Sequence, residues 1–215
     1  QAVPLVGVST DPGSTLSAQG VSFAWGSEFV GHTMRQTAED SFDAEAIFVG
    51  HGITAPEFGW DDYKGVDVKG KVVVLFTNEP PSTDPNFFDG PALTYYGRWT
   101  YKYEQALRKG AAACFIIHTT ATAGYGWEVV RNSWGREDFQ VALAAPALSF
   151  AGWLTQDAAG KFLALADYKV DDLLRKANTK GFRAIPLGVK LRGSMRSRTR
   201  EISTRNVAAL IRGSD

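Results

Sequence analysis

A single cysteine, Cys114, in 215 residues excludes an internal disulfide framework and every cysteine-rich zinc or iron–sulfur site. The three histidines, His32, His51 and His118, lie far apart and include no His-Glu-x-x-His or His-x-Asp, so each reads as closing a loop or a strand. Charge of one sign is equally missing. Lys plus Arg is 23 and Asp plus Glu is 23, which leaves no net field to gather nucleic acid or an anionic membrane. No apolar run approaches the roughly 18 residues of a membrane span, and residues 1–8 lack the basic start and apolar core of a signal peptide. The chain is therefore either cytosolic or trimmed from a longer one. Extended-looking stretches at both ends, residues 2–9 and 206–213, favour trimming. A serine nucleophile elbow is absent, because Arg131 stands where the first glycine belongs before Asn132-Ser133-Trp134-Gly135. Gly124-x-Gly126 is followed by Val129 where a dinucleotide loop needs its third glycine, and no Gly-Lys-Ser/Thr phosphate loop occurs.

What is present is an ordinary globular composition, 44% hydrophobic, 12% aromatic and 21% charged. A chain of this size buries roughly 70% of its unfolded surface in one or two domains. Short strands and turns are expected over residues 1–40, around an Asp11-Pro12-Gly13 bend. Strands are expected at 44–49 and 71–76, and a helix at 97–109 that carries Trp99, Tyr103, Ala106 and Leu107 on one face and stops at Gly110. The apolar run 111–117 then reads as a buried strand, so helix and strand form an α/β unit under a covered sheet. A short helix at 127–133, a strand at 146–150 and helices at 155–166 and 170–177 follow. From Leu187 the period changes to two, and the arginine-bearing stretch 196–200 reads as a second strand, hairpin-paired. The expected fold class is α/β or α+β, with mixed sheets or an open barrel flanked by several helices.

Three carboxylate pairs, Asp61-Asp62, Glu137-Asp138 and Asp171-Asp172, offer acid–base chemistry on paper, but adjacent acids at turns and helix starts usually cap or face solvent. The arginines 196, 198 and 200 line one strand face, where they meet an anion or protect an edge. Aromatics are concentrated over 87–103 and 125–134. Tyr95-Tyr96-Gly97-Arg98-Trp99 and Gly124-Tyr125-Gly126-Trp127 are glycine-hinged with polar edges, which suits recognition surfaces as well as packing.

The order of several segments resembles the protease-associated domain found within M28-family zinc aminopeptidases. They are Phe48-Val49-Gly50-His51-Gly52-Ile53, Ala55-Pro56-Glu57-Phe58-Gly59-Trp60-Asp61-Asp62-Tyr63, Val66-Asp67-Val68-Lys69-Gly70-Lys71-Val72-Val73-Val74, Tyr95-Tyr96-Gly97-Arg98-Trp99-Thr100-Tyr101-Lys102 and Gly110-Ala111-Ala112-Ala113. Residues 124–134 are similar to that family's aromatic Ala-Gly-Tyr-Gly-Trp stretch. His51 stands where tyrosine is usual, and Cys114 where glycine is common. The resemblance implies one domain over 1–215, with 1–40 and 187–215 as strands leading from and back to a peptidase domain. That domain would hold two zinc ions; no cofactor is expected in this stretch. The implied role is a non-catalytic lid beside the peptidase cleft of an exported hydrolase. Its partners would be that peptidase domain and the peptide substrate, without nucleic acid and without a membrane span. Candidate substrate-binding residues are Tyr95, Tyr96 and Arg98 in one loop and Tyr125, Trp127, Arg131 and Asn132 in another, an arginine suiting a substrate carboxylate. A free-standing protein- or peptide-binding module is the alternative, and an independent enzyme using a carboxylate pair is a third reading.

Overall fold

Near-continuous apolar runs along the central strands need cover on both faces, and the chain supplies helices to each. The computed structural model describes residues 2–142, 146–211 and 213. Four strands open it: β1 (Ala2–Thr10), β2 (Thr15–Ala18), β3 (Val21–Phe23) and β4 (Phe29–His32). The Asp11-Pro12-Gly13 bend is closed by the Asp11 carboxylate, which accepts from Gly13 N–H at 2.7 Å. Next come β5 (Glu39–Phe48), a small hairpin of β6 (Thr54–Ala55) and β7 (Trp60–Asp61), β8 (Val72–Phe76) and α1 (Trp99–Arg108). The middle of the chain holds β9 (Ala113–His118), α2 (Thr120–Ala123), α3 (Trp127–Trp134), β10 (Asp138–Val141) and β11 (Phe150–Thr155). Helices α4 (Gln156–Ala164) and α5 (Val170–Ala177) lead to β12 (Ile185–Arg205).

Among the described residues the main sheet has 10 strands, in the order β10-β1-β12-β5-β8-β9-β11-β4, with β2 on β12 and β3 on β2. β5, β8, β9 and β11 run parallel; β4 and β12 flank them antiparallel. The fold is thus a mixed α/β arrangement with a mixed sheet, as the sequence suggests. One sheet face, with Val72, Val74, Phe115 and Phe150, packs under α4 and α5 through Phe162, Leu163 and Leu173. The other, with Val73, Leu75, Ile116 and Trp153, packs under α1 and α3 through Tyr103, Ala106 and Val130. Each such side chain, fully buried, contributes about 1.5–3 kcal/mol.

Local signals place the helices. Gly110 takes φ +80 and ends α1, a backbone state open to glycine at little cost. Thr155 caps α4 by accepting from Ala158 N–H at 3.1 Å. Asp171 and Asp172 occupy the first turn of α5, Arg175 and Lys176 its last.

Three expectations need correction. The strand expected at 146–150 lies at Phe150–Thr155, because the apolar run continues to Leu154 and the pairing partner β9 selects its second half. The expected hairpin between 187–192 and 196–200 is instead one strand of 21 residues. Its alternation runs unbroken from Leu187 to Ser197: Gly193 is no turn but a gap filled by the Phe42 ring, which a Cβ there would meet at 2.3 Å. Finally, residues 206–211 form no strand, and Arg212 lies outside the described residues.

A second close approach sits between β4 and β11. A Cβ on Gly31 would lie 2.4 Å from the Ala151 carbonyl oxygen and 2.6 Å from Gly152 Cα, and backbone cannot swing aside as a side chain can. Gly31→Ala is expected to lower stability by about 2 kcal/mol. Urea unfolding checks this, and an unchanged midpoint would show that the edge strand simply shifts.

Candidate recognition site

On the α1/α3 face, aromatic side chains from separate elements converge. Trp99 and Tyr103 come from successive turns of α1, Trp134 from the end of α3 and His32 from the end of β4. Ring centroids lie 5.2 Å apart for Trp99–Trp134, 5.3 Å for Tyr103–Trp134 and 5.7 Å for His32–Trp134, the last pair stacked. Tyr103 is fixed by donating its hydroxyl proton to the Gly152 carbonyl at 2.9 Å. With β10 and Leu148, these residues wall a cavity of about 600 Å³, a size that suits one or two side chains or a small ligand. Trp99, Phe139 and Val141 remain exposed at its mouth.

The cleft's charged lining is acidic: Glu104 and Asp138, with no lysine or arginine. Glu104 accepts from the Tyr95 hydroxyl at 2.7 Å and from Arg108 at 3.1 Å; Asp138 accepts from the Gln140 amide at 3.1 Å. Burial pushes the His32 imidazole below its ordinary value against the pull of Asp138, so its ring is neutral near pH 7.

A second cavity, about 620 Å³ and more polar, opens at the carboxyl ends of the parallel strands β9 and β11, where His118, Trp127 and Gln156 line it. Trp127 donates its indole N–H to the Gly26 carbonyl at 2.8 Å. The His118 ring lies 5.5 Å from Tyr125 and 5.8 Å from Trp127.

The seven residues singled out in the sequence do not meet at one place. Tyr95 and Tyr96 pack edge-on against Tyr101, and Tyr96 donates to Glu57 at 2.5 Å, which pushes its hydroxyl up to about 12. Tyr125 and Trp127 gather around His118. Arg98, just before α1, and Arg131 and Asn132 on α3 are exposed. Of the seven, Trp127 lines one of the described cavities. The residues that build the aromatic cleft include Trp99, Tyr103 and Trp134, which belonged to the sequence's aromatic concentration, and His32 and β10, which nothing local marked out.

Beneath the Tyr95-Tyr96 loop lies a buried polar network. Lys102, fully buried, donates to the carbonyls of Asn78 at 2.6 Å and Tyr96 at 2.7 Å. Asp62 is 1% exposed, so the solvated reading of the Asp61-Asp62 pair fails for it. It accepts from His51 N–H at 3.2 Å, Ile53 N–H at 2.9 Å and the Trp60 indole at 2.8 Å. Burial raises Asp62 and lowers Lys102, each opposed by the other's charge. Burial and the Lys102 charge push His51 down to about 4. The neutral His51 ring donates from Nδ1 to the Thr77 carbonyl at 3.2 Å, so Nε2, 2.8 Å from the Asn178 amide, must accept, which turns the amide nitrogen toward it.

Several other acids and arginines pair with one another. Arg200 pairs with Glu137 at 2.5 Å, Arg192 with Asp43 at 2.8 Å and Arg196 with Asp11 at 3.8 Å, so two of the three arginines singled out on β12, 196 and 200, are answered by carboxylates, and β12 itself lies inside the sheet between β1 and β5. Among the described residues no group of three or more His, Cys, Asp or Glu is placed to hold a metal ion. No helix among them is long and apolar enough to cross a membrane.

No protein-family model matches the chain, and no curated protein matches it. Among solved structures it is similar to BSAP, a zinc aminopeptidase from Bacillus subtilis, at a TM-score of 0.36 and 11% identity, over 94% of this chain. The chain spans 35% of that protein's length.

Proposed function

We propose that this chain is a non-catalytic accessory domain of an exported zinc metallo-aminopeptidase, a lid that restricts access to the peptidase cleft and offers peptides a recognition surface. The observation that carries the reading is the aromatic cleft between α1, α3 and β10, an apolar concavity with an acidic lining and exposed rings at its mouth. The order of segments from Phe48 to Trp134 that resembles the protease-associated domain supports the same assignment. The two zinc ions and their ligands would then belong to a peptidase domain elsewhere in the parent chain. Tyr125, Trp127, Arg131 and Asn132 on one side and Tyr95, Tyr96 and Arg98 on another would offer substrate separate contacts outside the cleft.

The test is steady-state kinetics of the full enzyme. Trp99 is 43% exposed, so its loss removes contact area without emptying the core. Trp99→Ala is expected to raise KM for peptides about tenfold with kcat unchanged, the signature of lost uniform binding. Trp127→Ala is expected to raise KM in the same direction. Unchanged KM in both variants, with circular dichroism unchanged, refutes the reading.

A further inference from the structure

The four residues of β10 all line the aromatic cleft, although successive side chains of a strand point to opposite faces. A cavity that touches both sets lies along the strand's edge rather than over a face. The backbone pairing fixes which groups that edge presents. Ala142 N–H donates to the Pro4 carbonyl, so in the antiparallel register Gln140 and Asp138 are the residues bonded to β1. The N–H and C=O groups of Phe139 and Val141 therefore turn outward, toward the cleft. No strand among the described residues pairs with that edge. The Gln36 side-chain amide donates to the outward Val141 carbonyl at 2.8 Å, in the position where a partner strand's N–H would sit.

We infer that the edge of β10 takes up an extended polypeptide segment as an added strand, with an aromatic or large aliphatic side chain seated in the cleft against Trp99 and Trp134 and a basic residue beside it. This rests on the peptide-recognition reading above and names its mode. Main-chain bonds to Phe139, and to Val141 once Gln36 swings away, would hold the segment; alternate side chains would be sorted by the cleft. The basic residue follows from charge. Glu104 and Asp138 are the charged residues of the lining, and a cation there also meets the exposed face of Trp99. An acidic segment would gain no such partner from the lining.

The experiment titrates the 215-residue chain with the peptide acetyl-Lys-Phe-Thr-Val-amide and follows backbone amide and indole signals by NMR. The expected result is shifts centred on residues 138–141 and the Trp99 indole. N-methylation at alternate residues should weaken binding at least tenfold, because it removes the strand bonds while keeping the side chains. Exchange of Lys for Glu should weaken it about fivefold, and the Glu104→Gln, Asp138→Asn double variant should abolish that preference. Equal binding by the N-methylated peptide, shifts centred on another strand edge such as β4, or no shifts with an intact spectrum each overturn the inference. If strand addition fails while Trp99→Ala still raises KM in the full enzyme, the accessory reading survives with another contact; if both fail, peptide recognition itself falls.

Discussion

Replacement of Asp62 by alanine is expected to destabilise the fold by about 4 kcal/mol. The substitution leaves three donors, His51 N–H, Ile53 N–H and the Trp60 indole, without their acceptor, and it leaves the buried Lys102 with Glu79 as its remaining carboxylate. Removing one partner from a buried charge network falls at about 3–5 kcal/mol, well above the roughly 0.5 kcal/mol of an ordinary surface change. The measurement is urea unfolding at pH 7. The double variant Asp62→Ala, Lys102→Met should lose less than the two single variants together, since each single change removes a counter-charge from the other. A loss below about 1.5 kcal/mol for Asp62→Ala would mean that water reaches the site, and the network would not be the lock described here. The place of that lock is informative: it ties the turn after β5 to the loop that carries Tyr95 and Tyr96, through Lys102 on the helix that also presents Trp99.

The second large effect is a loss of stability in mild acid. His51 sits near 4 in the folded chain against about 6.5 for a free imidazole, so below 6.5 the unfolded state takes up a proton that the folded state refuses. The contribution of the neutral ring is complete above pH 6.5 and disappears as the pH falls from there to about 4. At about 1.4 kcal/mol per unit, the separation amounts to about 3 kcal/mol. His32 and His118 are lowered by burial too and act in the same direction. His51→Gln isolates the effect: unfolding free energies at pH 7 and pH 4 should differ by about 3 kcal/mol less in the variant than in the parent chain. An equal acid loss in both would assign the sensitivity to other groups.

How much of this was legible in the sequence follows from how local each signal is. The helix α1 was readable because four apolar residues repeat at its period and Gly110 stops it, and β8 and β9 because continuous apolar runs start after turns. β12 reads as a hairpin in the sequence because its apolar alternation gives way to an arginine-bearing polar stretch after Gly193. Alternation reports a strand but not its partner, and only the fold reveals that β5 covers one stretch and β1 the next. β11 slipped because Pro146 to Leu154 contains no internal turn signal, and the pairing with β9 alone decides where it begins. The cleft was half visible. Trp99, Tyr103 and Trp134 stood out as aromatics, yet their meeting with His32 and β10 depends on which strand lies beside which, and residues 32, 99, 134 and 139 share no local pattern. Asp62 looked like any acid at a turn; nothing in its neighbours announces that Lys102 will be buried across from it.

The long strand β12 has a mechanical consequence. It is hydrogen-bonded to β1 with Ala2 opposite Arg205, so a pull applied between those two residues would part the ladder from its open end, one pair after another. The parallel strands β5, β8 and β9 present no such open end to that pull, because force along them would have to slide whole rows of bonds at once. A tug at this end of the molecule would therefore peel away the outer strands at low force while the central sheet, with the buried network at its rim, stayed whole.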